Sequence, residues 1–113
     1  MSHSLTYYSQ LADHLLVLQS ALHQADVWEV PEPTPEQMAS TQPFAVDTMS
    51  FEQWLRYVFV ARFKVLIEQQ APLPSSCNIA PMVETAFPAL SSAHQRAIQN
   101  SLEAIDQHLT SGV

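Results

Sequence analysis

The fold is decided by residues 50–70, a proline-free stretch that reads SFEQWLRYVFVARFKVLIEQQ. Ser50 is a favourable helix N-cap, and Gln53 stands three positions later, where its side chain completes a capping box. Pro72 follows the stretch and prevents further extension, because proline lacks a backbone N–H and clashes with the preceding turn. We therefore predict a long helix that begins after Ser50 and ends at about Gln70.

Two further proline-free stretches stand at the two ends of the chain. In the first, apolar residues recur at intervals of three and four, the spacing of one helix face: Tyr8, Leu11, Leu15, Leu18, Leu22 and Ala25. In the last, the same kind of spacing joins Ile98, Leu102, Ile105 and Leu109. We predict one helix over about residues 4–26 and another that Ser91 or Ser92 caps and that runs to about residue 110.

Two short helices are predicted inside the proline-rich connectors. Thr34 caps the first, Pro35 takes its first position, and Gln37 completes a second capping box, so this helix runs to about Ser40. The second lies within residues 78–87, with a proline in its first turn. The predicted fold is all-α, a compact bundle of three long helices plus these two short ones.

The near absence of glycine excludes several kinds of site. Gly112 is the only glycine in the 113 residues, which we expect to form one domain, residues 1–113. Glycine is the usual residue for left-handed backbone and for close approach to a phosphate. The sequence therefore excludes phosphate-binding loops and Asn-Gly hairpins. It also predicts that prolines and Ser, Thr or Asn caps turn the corners without a left-handed residue.

The charge balance excludes other partners. The chain carries 11 acidic and 4 basic residues, for a net charge of −7. Four cations can neutralise only a small number of phosphate groups. We therefore expect neither direct nucleic-acid binding nor binding to an anionic membrane. No basic segment precedes an apolar stretch at the N-terminus, and Cys77 is the only cysteine. We therefore expect a cytoplasmic protein without a signal sequence, a spanning segment or a disulfide.

No catalytic, metal-binding or cofactor-binding pattern is found in the sequence. No two of the five histidines stand four residues apart on a helix, so there is no HxxxH zinc pair. Cys77 has few cations that could activate its thiol, and the carboxylates show no paired arrangement. We expect no metal, no cofactor and no enzymatic activity.

Arg62 is the most informative residue for a binding site. At about 100° per residue, it shares an apolar face of the predicted helix with Leu55 and Val58. A buried guanidinium must be paired and hydrogen-bonded, so we expect an ion pair, with Asp47 as the preferred partner and Glu84 or Glu36 next. The alternative is an anion clamp in a small pocket. The candidate site comprises Gln42, Phe44, Asp47, Trp54 and Arg62.

The same helix is apolar beyond its core stripe. Its further apolar residues are Tyr57, Val60, Phe63 and Ile67. Two explanations carry equal weight. Either the proline-rich connectors lie across the helix, or an exposed patch binds a protein partner or a second copy of the chain.

One segment carries a family resemblance. Residues 40–55, STQPFAVDTMSFEQWL, resemble the signature of the YqcC-like family, as do residues 71–74 (APLP), Cys77 and residues 79–82 (IAPM). The resemblance covers nearly the whole chain and implies a small bacterial cytoplasmic protein with a helical-bundle fold. It implies no activity and supplies no functional residue. In this family the gene often stands beside one for a tRNA pseudouridine synthase.

Two functions remain open from the sequence. The first is a protein-interaction or accessory module, linked to tRNA pseudouridine synthesis through a protein partner rather than through RNA. The second is a small bundle that binds an anionic ligand near Arg62 and Asp47. An enzyme of unknown type ranks last.

Overall fold

The computed structural model describes residues 5–42, 48–74 and 79–111, and these form helices and connectors without a β-strand. The elements are α1 (Leu5–Gln24), α2 (Pro35–Met38), α3 (Phe51–Trp54), a π-helical segment (Leu55–Val60), α4 (Ala61–Glu68), a 3-10 turn (Ala80–Met82), α5 (Val83–Ala86) and α6 (Ser92–Ser111). The π segment joins α3 to α4 without a break, and we call these three elements the central helix. The predicted all-α bundle of three long and two short helices is confirmed.

The core forms where α1 and α6 pack along each other and against the central helix. Every residue of the two predicted apolar stripes is buried: Tyr8 to Leu22 in α1, Ala25 directly after it, and Ile98 to Leu109 in α6. Burying a leucine or isoleucine side chain contributes about 1.5–3 kcal/mol. These two stripes therefore account for much of the stability, and the periodicity located them correctly.

The predicted helix starts are also confirmed. The side chains of Thr34 and Ser50 each accept a hydrogen bond from the backbone N–H three residues on. In return, the backbone N–H of each cap donates to the side-chain Oε1 of that glutamine, Gln37 or Gln53, which completes the capping box. Of the two serines predicted to cap α6, Ser91 makes the capping hydrogen bond: its Oγ accepts from the backbone N–H of His94 at 3.2 Å. The side chain of Gln95 instead donates to the carbonyl of Phe87 at 2.6 Å, which ties α6 to the end of α5.

The π segment changes which face of the central helix is buried. A π-helix closes its hydrogen bonds over five residues instead of four, so it turns the following residues by about 100° relative to an α-helix. The buried residues are Leu55, Phe59, Val60 and Phe63. In a regular α-helix, Arg62 would lie about 20° from the direction of Leu55 and Phe63 about 80° from it. The expectation that Arg62 lies in the apolar face is therefore wrong, because Phe63 takes that place and Arg62 is exposed.

The central helix ends in a Schellman motif that uses glutamine. Gln70 has a φ of 50°, in the left-handed region that favours glycine. The N–H of Ala71 donates to the carbonyl of Leu66 at 2.9 Å, and that of Gln70 donates to Ile67 at 3.1 Å. The prediction that the corners need no left-handed residue is therefore wrong.

The same motif ends α1. Asp26 has a φ of 62°, its N–H donates to the carbonyl of His23, and the N–H of Val27 donates to Leu22. Aspartate tolerates the left-handed region better than glutamine, because its short side chain can hydrogen-bond locally. The chain thus makes two tight corners without glycine by accepting backbone strain.

The connector between α1 and α2 lies across the central helix. Three side chains of the central helix donate to its carbonyls, Gln53 to Pro31 at 2.9 Å, Arg56 to Trp28 at 2.7 Å and Tyr57 to Val30 at 3.2 Å. On the other side, Ile79 is buried and Leu73 packs against the core. The connectors therefore cover much of the central helix, as the first of the two explanations predicts. No helix in the described part of the chain is long and apolar enough to cross a membrane.

Candidate functional site

An open groove of about 580 Å³ lies between the central helix and the connector that follows it. The helix supplies one wall with Trp54, Val58, Phe59, Arg62, Phe63 and Leu66, and the connector supplies the other with Pro72, Leu73, Pro74 and Ile79. Both walls are apolar except for Arg62. The groove therefore combines an apolar floor with one guanidinium.

The π segment creates this groove. Its extra residue turns Phe59 and Phe63 into the core, where their rings are tilted against each other at 4.9 Å. Val58 and Arg62 are displaced from the core and line the groove, Val58 half-buried and Arg62 exposed. Trp54, also half-buried, packs against Phe59 with ring centroids 5.8 Å apart. π-helical segments occur often at functional sites, and this one shapes one wall of the groove.

Among the described residues that line the groove, Arg62 is the only charged one. Within the described ranges, no carboxylate forms an ion pair with it. Glu36 and Glu84, two of its three predicted partners, are exposed and do not line the groove. Asp47, the preferred partner, lies outside the described residues, so the predicted pair with Arg62 stays a prediction.

The structure brings together two of the five predicted site residues. Trp54 and Arg62 line the same groove. Gln42 is exposed at the end of the first described range, where its N–H donates to Ser40 Oγ at 3.1 Å. Phe44 and Asp47 lie outside the described residues. The lining residues that the sequence analysis did not select are the apolar ones, which no sequence signal separates from core residues.

A second cluster joins the first turns of α1 to the last turn of α6. The rings of Tyr7 and His108 stack at 4.2 Å, and the ring of His14 lies 5.3 Å from that of His108. Tyr7 Oη donates to the carbonyl of His108 at 3.1 Å, and His108 Nε2 donates to the carbonyl of Tyr7 at 3.0 Å. The sequence analysis missed this cluster because its two halves are 101 positions apart.

The environments of His14 and Tyr7 disfavour their charged forms. Burial lowers the pKa of His14 below its ordinary 6.5, the neighbouring His108 lowers it further, and Asp13 acts in the opposite direction. Burial also raises the pKa of Tyr7, and Tyr8 adds to that effect. Among the described residues, no group of three or more His, Cys, Asp or Glu side chains could hold a metal ion. The cluster is therefore best described as a packed contact between two helices.

Comparisons with known proteins agree on one family. Residues 10–108 match the family model DUF446, described as tRNA pseudouridine synthase C. The chain is 36% identical to the uncharacterized protein YqcC of Escherichia coli (strain K12) over 102 residues, 90% of this chain and 93% of that protein. It is 38% identical to an uncharacterized protein of Haemophilus influenzae over 79 residues, 70% of this chain and 74% of that protein.

A solved structure shares the fold. The solution NMR structure of protein YqcC from E. coli matches with a TM-score of 0.78 and 34% sequence identity, covering 96% of this chain and 92% of that one. The fold and the groove define a small all-α bundle protein. Within that class, the chain belongs to the YqcC-like family, DUF446, as the resemblance at residues 40–55 indicates.

One relative is much longer than this chain. It is tRNA pseudouridine synthase C of Pectobacterium carotovorum subsp. carotovorum, 37% identical over 68 residues. These residues make up 60% of this chain but only 18% of that protein. A segment similar to this chain is thus a small part of a longer protein of that name.

Proposed function

We propose that this chain is an accessory module that binds a tRNA pseudouridine synthase through protein contact. The observation that carries the proposal is the partial match, in which a similar segment is part of a longer chain named tRNA pseudouridine synthase C. Two modules on one chain hold each other at a millimolar effective concentration. When they occur as separate chains, an interface must supply the same association. We further propose that residues 1–113 act as one domain, in the cytoplasm, without catalysis of their own.

The charges support a protein partner over RNA. Of the four cations, Arg56 already donates to the Trp28 carbonyl and forms an ion pair with Glu29 at 3.8 Å. Three cations are left to meet phosphates, against a net charge of −7. Because affinity for RNA depends on the number of phosphates neutralised, the synthase and not this module would hold the tRNA.

Titration calorimetry with the synthase from the same genome tests this proposal. We expect saturable binding to the purified synthase and none to tRNA alone. Absence of heat and of co-elution at about 100 µM of each protein, where even weak specific pairs associate, would contradict the proposal. Light scattering on the module alone gives its mass, so self-association can be separated from binding to the synthase.

The second candidate function is binding of a small anionic ligand. The groove of about 580 Å³ falls in the range of small-molecule sites, roughly 300–1,000 Å³, and it has apolar walls with one cation. The aromatic sulfonate 1-anilinonaphthalene-8-sulfonate has the matching chemistry. This candidate predicts that the dye binds the folded protein and that Arg62→Met, but not Arg96→Met, weakens binding. Equal binding by both variants would remove the candidate.

A further inference from the structure

We infer that the groove between the central helix and residues 72–74 is where the synthase docks. The inference rests on the proposed function and assigns its interface. The occupant is a segment of the synthase that places an apolar side chain between Val58 and Leu73 and a carboxylate next to Arg62.

The composition of the groove favours a protein segment. The wall that the central helix supplies carries Trp54 beside Phe59, and Arg62 lies in the same wall. Tryptophan and arginine are the residues that most often dominate the energetics of protein interfaces, provided that surrounding contacts exclude water. Because the groove is only partly enclosed, a segment of a partner protein can reach its lining from the surface.

The charge of the groove selects the occupant. A guanidinium beside apolar walls forms short, two-point hydrogen bonds with a carboxylate, and these strengthen as water leaves. The chain carries a net charge of −7, so in this groove a carboxylate of the partner meets a favourable charge at Arg62. A partner surface with one carboxylate inside an apolar patch is therefore favoured over a uniformly acidic one.

The wall opposite the central helix, residues 72–74, is conformationally preorganised. Pro72 and Pro74 have fixed φ angles, so residues 72–74 lose little conformational entropy when a partner binds. The start of this wall is anchored, because the Tyr8 hydroxyl donates to the carbonyl of Ala71 at 2.7 Å. The N–H of Ala71 is held by the Schellman motif at the end of the central helix.

A second groove, between α1 and α6, provides a matched control. It is lined by Val17, Ser20, Ala21, Gln24, Ala97, Asn100, Ser101 and Ala104, none of which is charged. Val17 is 58% exposed, so Val17→Asp changes this surface as Val58→Asp changes the proposed one. Arg96, which is exposed and does not line the proposed groove, is the control for Arg62.

The test measures the Kd of the synthase for four variants whose thermal unfolding is first shown to match the wild type. We expect Arg62→Glu and Val58→Asp each to weaken binding at least about 30-fold. The first substitution removes a charge that the partner desolvates, and the second places a charge in an apolar contact. Arg96→Glu and Val17→Asp should stay within about threefold of the wild type, as exposed substitutions do. An acidic-to-basic substitution in the synthase that restores binding to Arg62→Glu would identify the facing carboxylate.

The outcomes separate this inference from the proposed function. If the wild type does not bind the synthase, the proposed function fails. If the wild type binds, but Val17→Asp weakens binding and both groove variants bind normally, the function stands and the docking site is overturned. The site is also overturned if saturating synthase leaves the sulfonate dye bound in the groove, or if Arg62→Glu disrupts a dimer of this chain instead.

Discussion

The guanidinium of Arg56 lies 4.6 Å above the ring of Trp28, and its Nη1 donates a 2.7 Å hydrogen bond to the carbonyl of the same tryptophan. The guanidinium also lies 5.0 Å from the ring of Tyr57. One side chain of the central helix therefore holds the connector from α1 through both its backbone and its aromatic ring. Arg56 also forms an ion pair with Glu29 of the same connector, with Nη1 and Oε2 3.8 Å apart.

This contact predicts that Arg56→Met destabilises the fold. A charge-assisted hydrogen bond contributes about 1.5–3 kcal/mol, and the Trp28 carbonyl would lose its donor. Urea denaturation should show a lower unfolding free energy by about 2 kcal/mol. The exposed Arg96→Met is the control and should change stability by less than about 0.5 kcal/mol. Equal effects of the two substitutions would show that Arg56 does not fasten the connector.

The left-handed Gln70 predicts that glycine stabilises the protein at this corner. A residue with a Cβ is strained at a φ of 50°, by about 1 kcal/mol, and glycine is not. Gln70→Gly should therefore raise the unfolding free energy by up to about 1 kcal/mol. The neighbouring Gln69 has a φ of −88°, so Gln69→Gly should give no gain. If both substitutions lower stability alike, the corner is not left-handed.

The π segment predicts an unusual ranking of alanine substitutions. Phe59 is 4% exposed, so Phe59→Ala should cost about 3–5 kcal/mol of unfolding free energy. Val58 lines the open groove, so Val58→Ala should cost about 1 kcal/mol or less. In a regular α-helix, Val58 and Phe59 would both flank the direction of Leu55, about 60° and about 40° away from it. A larger loss for Val58→Ala than for Phe59→Ala, measured by urea denaturation, would contradict the π register.

The lowered pKa of His14 predicts a pH-dependent stability. Between the native pKa and the ordinary 6.5, the unfolded chain binds more protons than the native one, so stability rises with pH. The stability that depends on neutral His14 is fully present above pH 6.5. It is lost as the pH falls from 6.5 through the native pKa of His14. Denaturation between pH 5 and 8 should show this fall, and His14→Gln should reduce it.

Asp13 provides the matched variant for this prediction. Its charge raises the pKa of His14, so Asp13→Asn should lower that pKa further and steepen the loss of stability below 6.5. The opposite order, with a steeper loss in His14→Gln than in Asp13→Asn, would show that another group controls this range.

Local signals in the sequence account for most of the fold. The capping boxes at Thr34 and Ser50 and the stripes of α1 and α6 each depend on residues a few positions apart, so short-range chemistry predicts them. The left-handed corners escaped prediction because Asp26 and Gln70 are not glycine, and tertiary packing imposes their conformation. The Tyr7–His108 contact escaped because no local pattern connects the two ends of a chain.

The π segment shows where periodicity fails. Leu55, Val58, Phe59 and Phe63 are all apolar, so spacing alone cannot decide which of them face the core. The physical hint was Arg62 itself, since burying its guanidinium costs several kcal/mol and burying Phe63 is favourable. A shift of the helix register by one residue moves Arg62 out of the core-facing position and brings Phe63 into it. Of the predicted site residues, Trp54 and Arg62 line one groove, and Arg62 is exposed there rather than buried in the apolar face.

Titration of the tRNA pseudouridine synthase into this protein and into its Arg62→Glu variant tests the central claim most directly. We predict saturable binding to the wild type, at least about 30-fold weaker binding to Arg62→Glu, and unchanged binding to Arg96→Glu. The same affinity for all three proteins would contradict the groove as the docking site. Absence of binding to the wild type would contradict the accessory function itself.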